Sequence, residues 1–162
     1  VTETGLPLIY VNLTGGQDEL VFDGASFVLG ADRKLLAKAP SWEEAMVLTQ
    51  WKKTDGGWAC AETAIAPATD EAEAVYRALV LGLRDYVGKN GFPGVLIGLS
   101  GGIDSALTAA IAADALGGNQ VHGVIMPSPH TSAESIEDAE ETAETLGIKV
   151  DTIAIEDRKS VV

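Results

Sequence analysis

Gly94-Val95-Leu96-Ile97-Gly98-Leu99 runs directly into Ser100-Gly101-Gly102-Ile103-Asp104-Ser105, after which the chain is alanine-rich as far as Leu116. The first stretch reads as an apolar strand, and the alanine-rich stretch from about Ser105 reads as a helix. Between them, Gly101 and Gly102 carry no side chain, so their N–H groups can turn toward an anion while the helix N-terminus adds unpaired amides and a positive dipole end. Ser100 and Ser105 add hydroxyls. Asp104 would repel a polyphosphate unless a hard cation such as Mg2+ lay between them. The loop therefore reads as a Mg-nucleotide site. Two glycines alone would mean only a tight turn, but their place between strand and helix, with serines and an aspartate beside them, argues for a ligand. No Gly-Lys-Ser/Thr occurs, which excludes the Walker loop, and Ser100 breaks the dinucleotide pattern G-x-G-x-x-G.

Moving outward, the chain alternates strand 94–99, helix 105–116, strand 121–126, helix 135–146 and strand 149–154. Such alternation demands crossovers, hence an α/β fold with a parallel sheet and helices on both faces. Ligands of such sheets collect at the carboxyl ends of the strands, which puts Leu99 and Met126 on one rim. Upstream, Val75, Leu79, Gly82 and Tyr86 share one face of a helix over about 70–89, ended by Asn90-Gly91-Phe92-Pro93. Before position 70 the pattern is different. Leu8–Leu13 is apolar enough for a buried strand, and Leu20–Val28 reads as a second strand with a bulge at Gly24. Arg33–Ala39 and Glu43–Thr49 read as two further strands of a mostly antiparallel layer in a sandwich. Thr54-Asp55-Gly56-Gly57 opens a connector that continues through Pro67.

Ser100-Gly101-Gly102-Ile103-Asp104-Ser105 resembles the S-G-G-x-D-S loop of the N-type ATP pyrophosphatases, which include NAD, GMP and asparagine synthetases and cleave ATP between its α and β phosphates. Val121-His122-Gly123-Val124-Ile125-Met126-Pro127-Ser128, followed by Ser132, Ser135 and Asp138-Ala139, is similar to the segment after the second strand of NAD synthetases. Pro7 to Ser26, containing Gly15-Gly16-Gln17-Asp18-Glu19, resembles the later strands of a nitrilase-type amidase domain as found in glutamine-dependent NAD synthetases. The resemblance implies an adenine nucleotide alpha hydrolase-like sheet preceded by a partial nitrilase-type sandwich. By this reading residues 1–52 end the glutaminase module, 53–69 link, and 70–162 begin the ATP-binding module.

The activity so implied is ATP-dependent amidation of deamido-NAD to NAD through an adenylated intermediate, with ammonia drawn from glutamine. ATP contacts are expected from Gly98, Leu99, Ser100, Gly101, Gly102, Ile103, Asp104, Ser105 and Met126, and Mg2+ from Asp104. By the resemblance the glutaminase nucleophile Cys lies upstream of the stretch matching Val1 and the triad's Glu and Lys are absent from this chain, so no catalytic residue is assigned in it, and it is read as an inactive portion of a larger, homo-oligomeric enzyme. Two other functions are kept open: a GMP or asparagine synthetase-like ligase, and a non-catalytic nucleotide-binding fragment.

The charge balance supports small-molecule substrates: 24 acidic against 11 basic residues give a net −13, which would repel a nucleic acid. No apolar run approaches the ~20 residues that span a bilayer, and no leader sequence is evident, so a cytoplasmic protein is expected. Cys60, the lone cysteine, reads as a structural thiol, and Trp42 and Trp51 as packing residues. His122 reads as structural, while His130 lies near enough to the expected rim to touch a substrate. Glu134, Glu137, Asp138, Glu140, Glu141 and Glu144 form the solvated face of a helix whose buried stripe is Ile136, Ala139, Ala143 and Leu146, capped by Thr131 with Glu134. Gly15 to Glu19 is expected to be a loop without a chemical role.

Overall fold

The structure, a computed structural model, describes residues 1–155. The chain forms two compact units that meet in sequence at Gly82/Leu83.

In the first unit, strand β1 (Leu8–Tyr10) belongs to a three-stranded antiparallel sheet that contains two later strands. Between them β2 (Thr14–Gln17) and β3 (Leu20–Asp23) make a separate hairpin, with Gly15 opposite Phe22 and Gly16 opposite Val21. The expected loop at Gly15 to Glu19 is thus mostly strand. Only Asp18-Glu19 forms the turn, and Asp18 takes φ 52°, a conformation that aspartate tolerates. The single strand expected over Leu20–Val28 is divided. Gly24 and Ala25 sit at φ 72° and 46°, which is a corner between two sheets and not a bulge. Past that corner β4 (Phe27–Leu29) pairs with β1, and β5 (Leu35–Lys38) pairs with β4.

Leu8, Ile9 and Tyr10 are exposed, so the strand expected to be buried is not. Glu43–Thr49 is not a strand either. Ala45-Met46-Val47-Leu48 is apolar at every position, so it offers no alternation for a sheet face to select, and Trp42 before it turns through φ 69°. The connector begins with a hairpin, β6 (Trp51–Thr54) and β7 (Gly57–Cys60). Trp51 and Cys60 pack on the small core of Val28, Leu36 and Ala37, which fits the packing roles read for both. Trp42 buries its indole N–H without a partner among the described residues.

Helix α1 (Glu71–Asn90) is capped by Asp70, whose Oδ1 accepts the N–H groups of Ala72 at 2.9 Å and Glu73 at 3.2 Å. The face expected to be buried is a correction: Val75, Leu79 and Tyr86 are at least half exposed, while Leu81 and Val87 are buried. Apolar residues lie around much of this helix, so more than one stripe satisfies the helical period.

The second unit contains the parallel sheet. β8 (Val95–Leu99), β9 (Val121–Ile125) and β10 (Lys149–Thr152) lie in the order β10-β9-β8, linked by α2 (Ile103–Leu116) and α3 (Ala133–Leu146). Val95, Ile97 and Leu99 of β8 face the same way as Val121, Gly123 and Ile125 of β9, register partners that pack with the helices in one core. Ala109 and Ala112 of α2 and Ala139 and Ala143 of α3 are the small residues that let both helices come close. Ile136 and Leu146 are half-buried beside them and the acids of α3 are exposed. The cap of α3 corrects the expectation. Ser132 Oγ accepts the Ser135 N–H at 3.1 Å, so Ser132, not Thr131, ends the loop.

Gly123 shows why β9 can be central. A Cβ there would lie 2.7 Å from Leu99 Cδ1 and 2.9 Å from Val150 Cγ2, so neighbours on both adjacent strands already fill that space. Ala109, fully buried, is the equivalent point on α2. Ala109→Leu would overpack it and is expected to lower stability by about 2 kcal/mol, read from urea denaturation midpoints. An unchanged midpoint would mean that α2 does not pack on the sheet as described.

Candidate functional site

The loop Ser100–Gly102 joins β8 to α2, and its serines organise it. The Ser105 hydroxyl donates to the Gly102 carbonyl at 2.9 Å and accepts the Ser100 N–H at 3.2 Å. The Ser100 hydroxyl accepts the Gly102 N–H at 3.3 Å and lies 3.1 Å from Ser105 Oγ. Because the Ser105 proton is already committed, the Ser100 hydroxyl is the donor of that last bond. Two of the amides expected to face a ligand, those of Ser100 and Gly102, are therefore held inside the loop. The first-turn amides of Ile103, Asp104 and Ser105 remain, since helical bonding starts with Ala106 N–H to the Gly102 carbonyl at 3.1 Å.

α2 has no side-chain cap, unlike α1 and α3. Its N-cap is Gly102, at φ −88° and ψ 156°. An uncapped first turn beside two glycines presents amide hydrogens and the positive end of the helix dipole to whatever approaches. The two glycines differ in what requires them. Gly101 sits at φ 77°, and a Cβ on it would meet the Ser135 carbonyl oxygen at 2.2 Å. Gly102 has ordinary extended geometry, and a Cβ there would lie 3.4 Å from Ser100 Oγ, a normal contact.

Met126 follows β9 as Ser100 follows β8, and register pairs Leu99 with Ile125, so the two turns share a rim. A cleft of about 280 Å3 opens there, lined by Gly98, Ser100, Met126, Ser135, Ile136 and Ile155 among others. Met126 Cε lies 3.4 Å from where a Gly98 Cβ would be. Ser135, Ile136 and Ile155 were not anticipated as site residues. The available signal was topological: parallel pairing brings the end of β10 beside the end of β9, where Ile155 N–H bonds the Pro127 carbonyl at 2.9 Å. Thr131 also lines the cleft, and its hydroxyl accepts the Ser128 N–H at 2.9 Å, closing the Met126-Pro127-Ser128 turn. Gly101, Gly102 and Ile103 line a separate, more open groove against α3, so the nine expected site residues are not all on one wall.

Asp104 is exposed in the first turn of α2 and its carboxylate has no partner among the described residues. No group of three His, Cys, Asp or Glu side chains able to hold a metal occurs among those residues. A divalent cation here would share one carboxylate with the oxygens of a bound ligand, the arrangement Mg2+ favours with phosphates. Asp104 fits that role. The histidines lie elsewhere: His122 Nε2 is 2.8 Å from Asp151 Oδ2 across β9 and β10, and exposed His130 donates its backbone N–H to Ser128 Oγ.

Residues 75–162 match the family model described as NAD synthase. The chain belongs to the NAD synthase family. Over all 162 residues it is 49% identical to the glutamine-dependent NAD(+) synthetase of Rhodobacter capsulatus, and over 148 residues 45% identical to that of Acinetobacter baylyi. A solved glutamine-dependent NAD+ synthetase from Acinetobacter baumannii, in complex with adenosine diphosphate, superposes on 96% of the chain with a TM-score of 0.88 at 42% identity. The chain spans 29% of the length of the Rhodobacter relative, 26% of the A. baylyi relative and 29% of the solved chain. No helix among the described residues is long and apolar enough to cross a membrane.

The unequal glycines make a prediction. Gly101→Ala combines a left-handed φ with a backbone clash and is expected to cost about 2 kcal/mol or more, whereas Gly102→Ala should change stability by less than about 0.5 kcal/mol. Urea denaturation of the two variants checks the ranking, and equal costs would contradict the geometry.

Proposed function

We propose that this chain is the part of a glutamine-dependent NAD synthetase that ends the nitrilase-type glutaminase module and begins the ATP-binding module. The division suggested is 1–52 for the first, 53–69 for the connector and 70–162 for the second. The observation that carries the proposal is the uncapped N-terminus of α2, open beside a serine-braced glycine loop, in a chain 49% identical along its length to such a synthetase. The adenosine diphosphate bound by the Acinetobacter relative supports an adenine nucleotide as ligand.

In this reading the first-turn amides of Ile103, Asp104 and Ser105 donate hydrogen bonds to oxygens of the β and γ phosphates, which leave together as pyrophosphate. Preorganised dipoles aimed at the leaving group stabilise its developing charge without reorganising at the moment of reaction. Gly98, Leu99, Ser100, Gly101 and Gly102 shape the loop, and Met126 with Ile125 supplies an apolar wall for the base. Asp104 would hold Mg2+, which when bound neutralises charge on the departing phosphates. The overall reaction is the amidation of deamido-NAD: its nicotinate carboxylate takes the adenylyl group from ATP with release of pyrophosphate, then ammonia displaces AMP to give NAD. Ammonia would come from glutamine hydrolysed in the glutaminase module, for which no catalytic residue of this chain is proposed. The intact protein is read as a cytoplasmic homo-oligomer acting on small molecules.

Asp104→Ala in the full-length protein tests the assignment. Deamido-NAD-dependent exchange of label between pyrophosphate and ATP should fall by about a hundredfold or more, with the circular dichroism unchanged. Exchange at the wild-type rate would remove Asp104 from the mechanism.

A further inference from the structure

The loop is held from outside by α3. Gly101 is wedged against the first turn of that helix: a Cβ on Gly101 would stand 2.2 Å from the Ser135 carbonyl oxygen and 2.8 Å from Ser135 Cα. Main chain thus packs on main chain with no side chain between. The position of Ser135 is in turn fixed by Ser132, whose Oγ accepts the Ser135 N–H at 3.1 Å and lies 2.9 Å from Ser135 Oγ. The cap fixes the residue at which α3 begins, and the hydroxyl contact ties the two side chains together. Ser135 also lines the rim cleft beside Ser100.

We propose that Ser132 and Ser135 are positioning residues for the glycine loop: the cap sets where the first turn of α3 begins, and that turn sets where Gly101 and the amides after it stand. The proposal rests on the nucleotide reading of the loop, and extends it to a pair of hydroxyls outside the strand-to-helix motif. Without the cap, the first turn of α3 frays, Gly101 loses its backstop, and the amides of Ile103 to Ser105 no longer hold one geometry. The consequence falls on ligand affinity and on local protection, not on the stability of the unit alone.

The test separates positioning from general destabilisation. Ser132→Ala is compared with Glu140→Gly, which weakens the same helix at an exposed position remote from the loop, and with Ser132→Asp, which restores an N-cap acceptor. Amide hydrogen exchange is followed without nucleotide, and MgATP binding is measured by calorimetry on the full-length protein. The expected result for Ser132→Ala is exchange about tenfold faster at the hydrogen-bonded loop amides of Ser100, Gly102 and Ala106 and a Kd for MgATP about fivefold higher. Glu140→Gly and Ser132→Asp should remain within about twofold of wild type in both measures. If Ser132→Ala behaves like Glu140→Gly, the cap is merely structural and the proposal is overturned. Failure of the wild-type protein to bind MgATP would overturn the nucleotide reading instead, and the exchange comparison keeps the two failures apart.

Discussion

Parallel pairing of β8 with β9 is the constraint on which the site depends. With Leu99 opposite Ile125, both strands end at one level, so the chain must leave both strands on the same rim. A parallel strand can be followed only by a crossover, and here the crossover helix α2 starts within four residues of its strand's end, with Gly102, which carries no side chain, at its N-cap. The amides of the first turn are thereby left for a ligand. A one-residue slip of β8 would exchange the buried set Val95, Ile97 and Leu99 for Leu96 and Gly98, and that loss of burial is what holds the register.

The serines complete the arrangement. Ser100 and Ser105 consume two of the loop's own amides and a carbonyl, so the loop is braced before anything binds. This differs from a loop whose every N–H points outward, but it reduces the ordering cost of binding. Asp104 then stands alone, a carboxylate in a region otherwise suited to anions. In the first turn it complements the positive end of the helix dipole, and under the proposed reading it would also share a cation with the ligand.

The second unit was largely legible because its signals are local and repeated. Apolar runs bounded by Gly94, Gly117 and Gly147, with helical periods between them, mark each strand and helix to within two residues. The ends were less clear. α2 starts at Ile103 instead of Ser105, because Gly102 serves as N-cap by backbone conformation alone, with no side chain to announce it. Thr131 and Ser132 are both plausible caps by residue type, and only the Ser128–Thr131 turn, which engages the Thr131 hydroxyl, leaves the role to Ser132. The first unit was harder to read. Left-handed residues at Ala25, Arg33 and Trp42 redirect the chain without the glycine that would betray them, and Ala45-Met46-Val47-Leu48 carries hydrophobicity without period. The nine expected site residues rest on one motif and one strand end. Ile155 escaped because it reaches the cleft through tertiary pairing of β10 with β9, and Ile136 because it reaches it from the first turn of α3.

The most direct measurement is amide NMR of the folded protein titrated with magnesium pyrophosphate, the simplest ligand carrying the chemistry in question. The account predicts that the largest shifts fall on the amides of Ile103, Asp104 and Ser105, with smaller ones at Ser100 and Gly102, whose hydrogens stay on the serine hydroxyls. Shifts confined to other segments, or none at millimolar ligand, would contradict it.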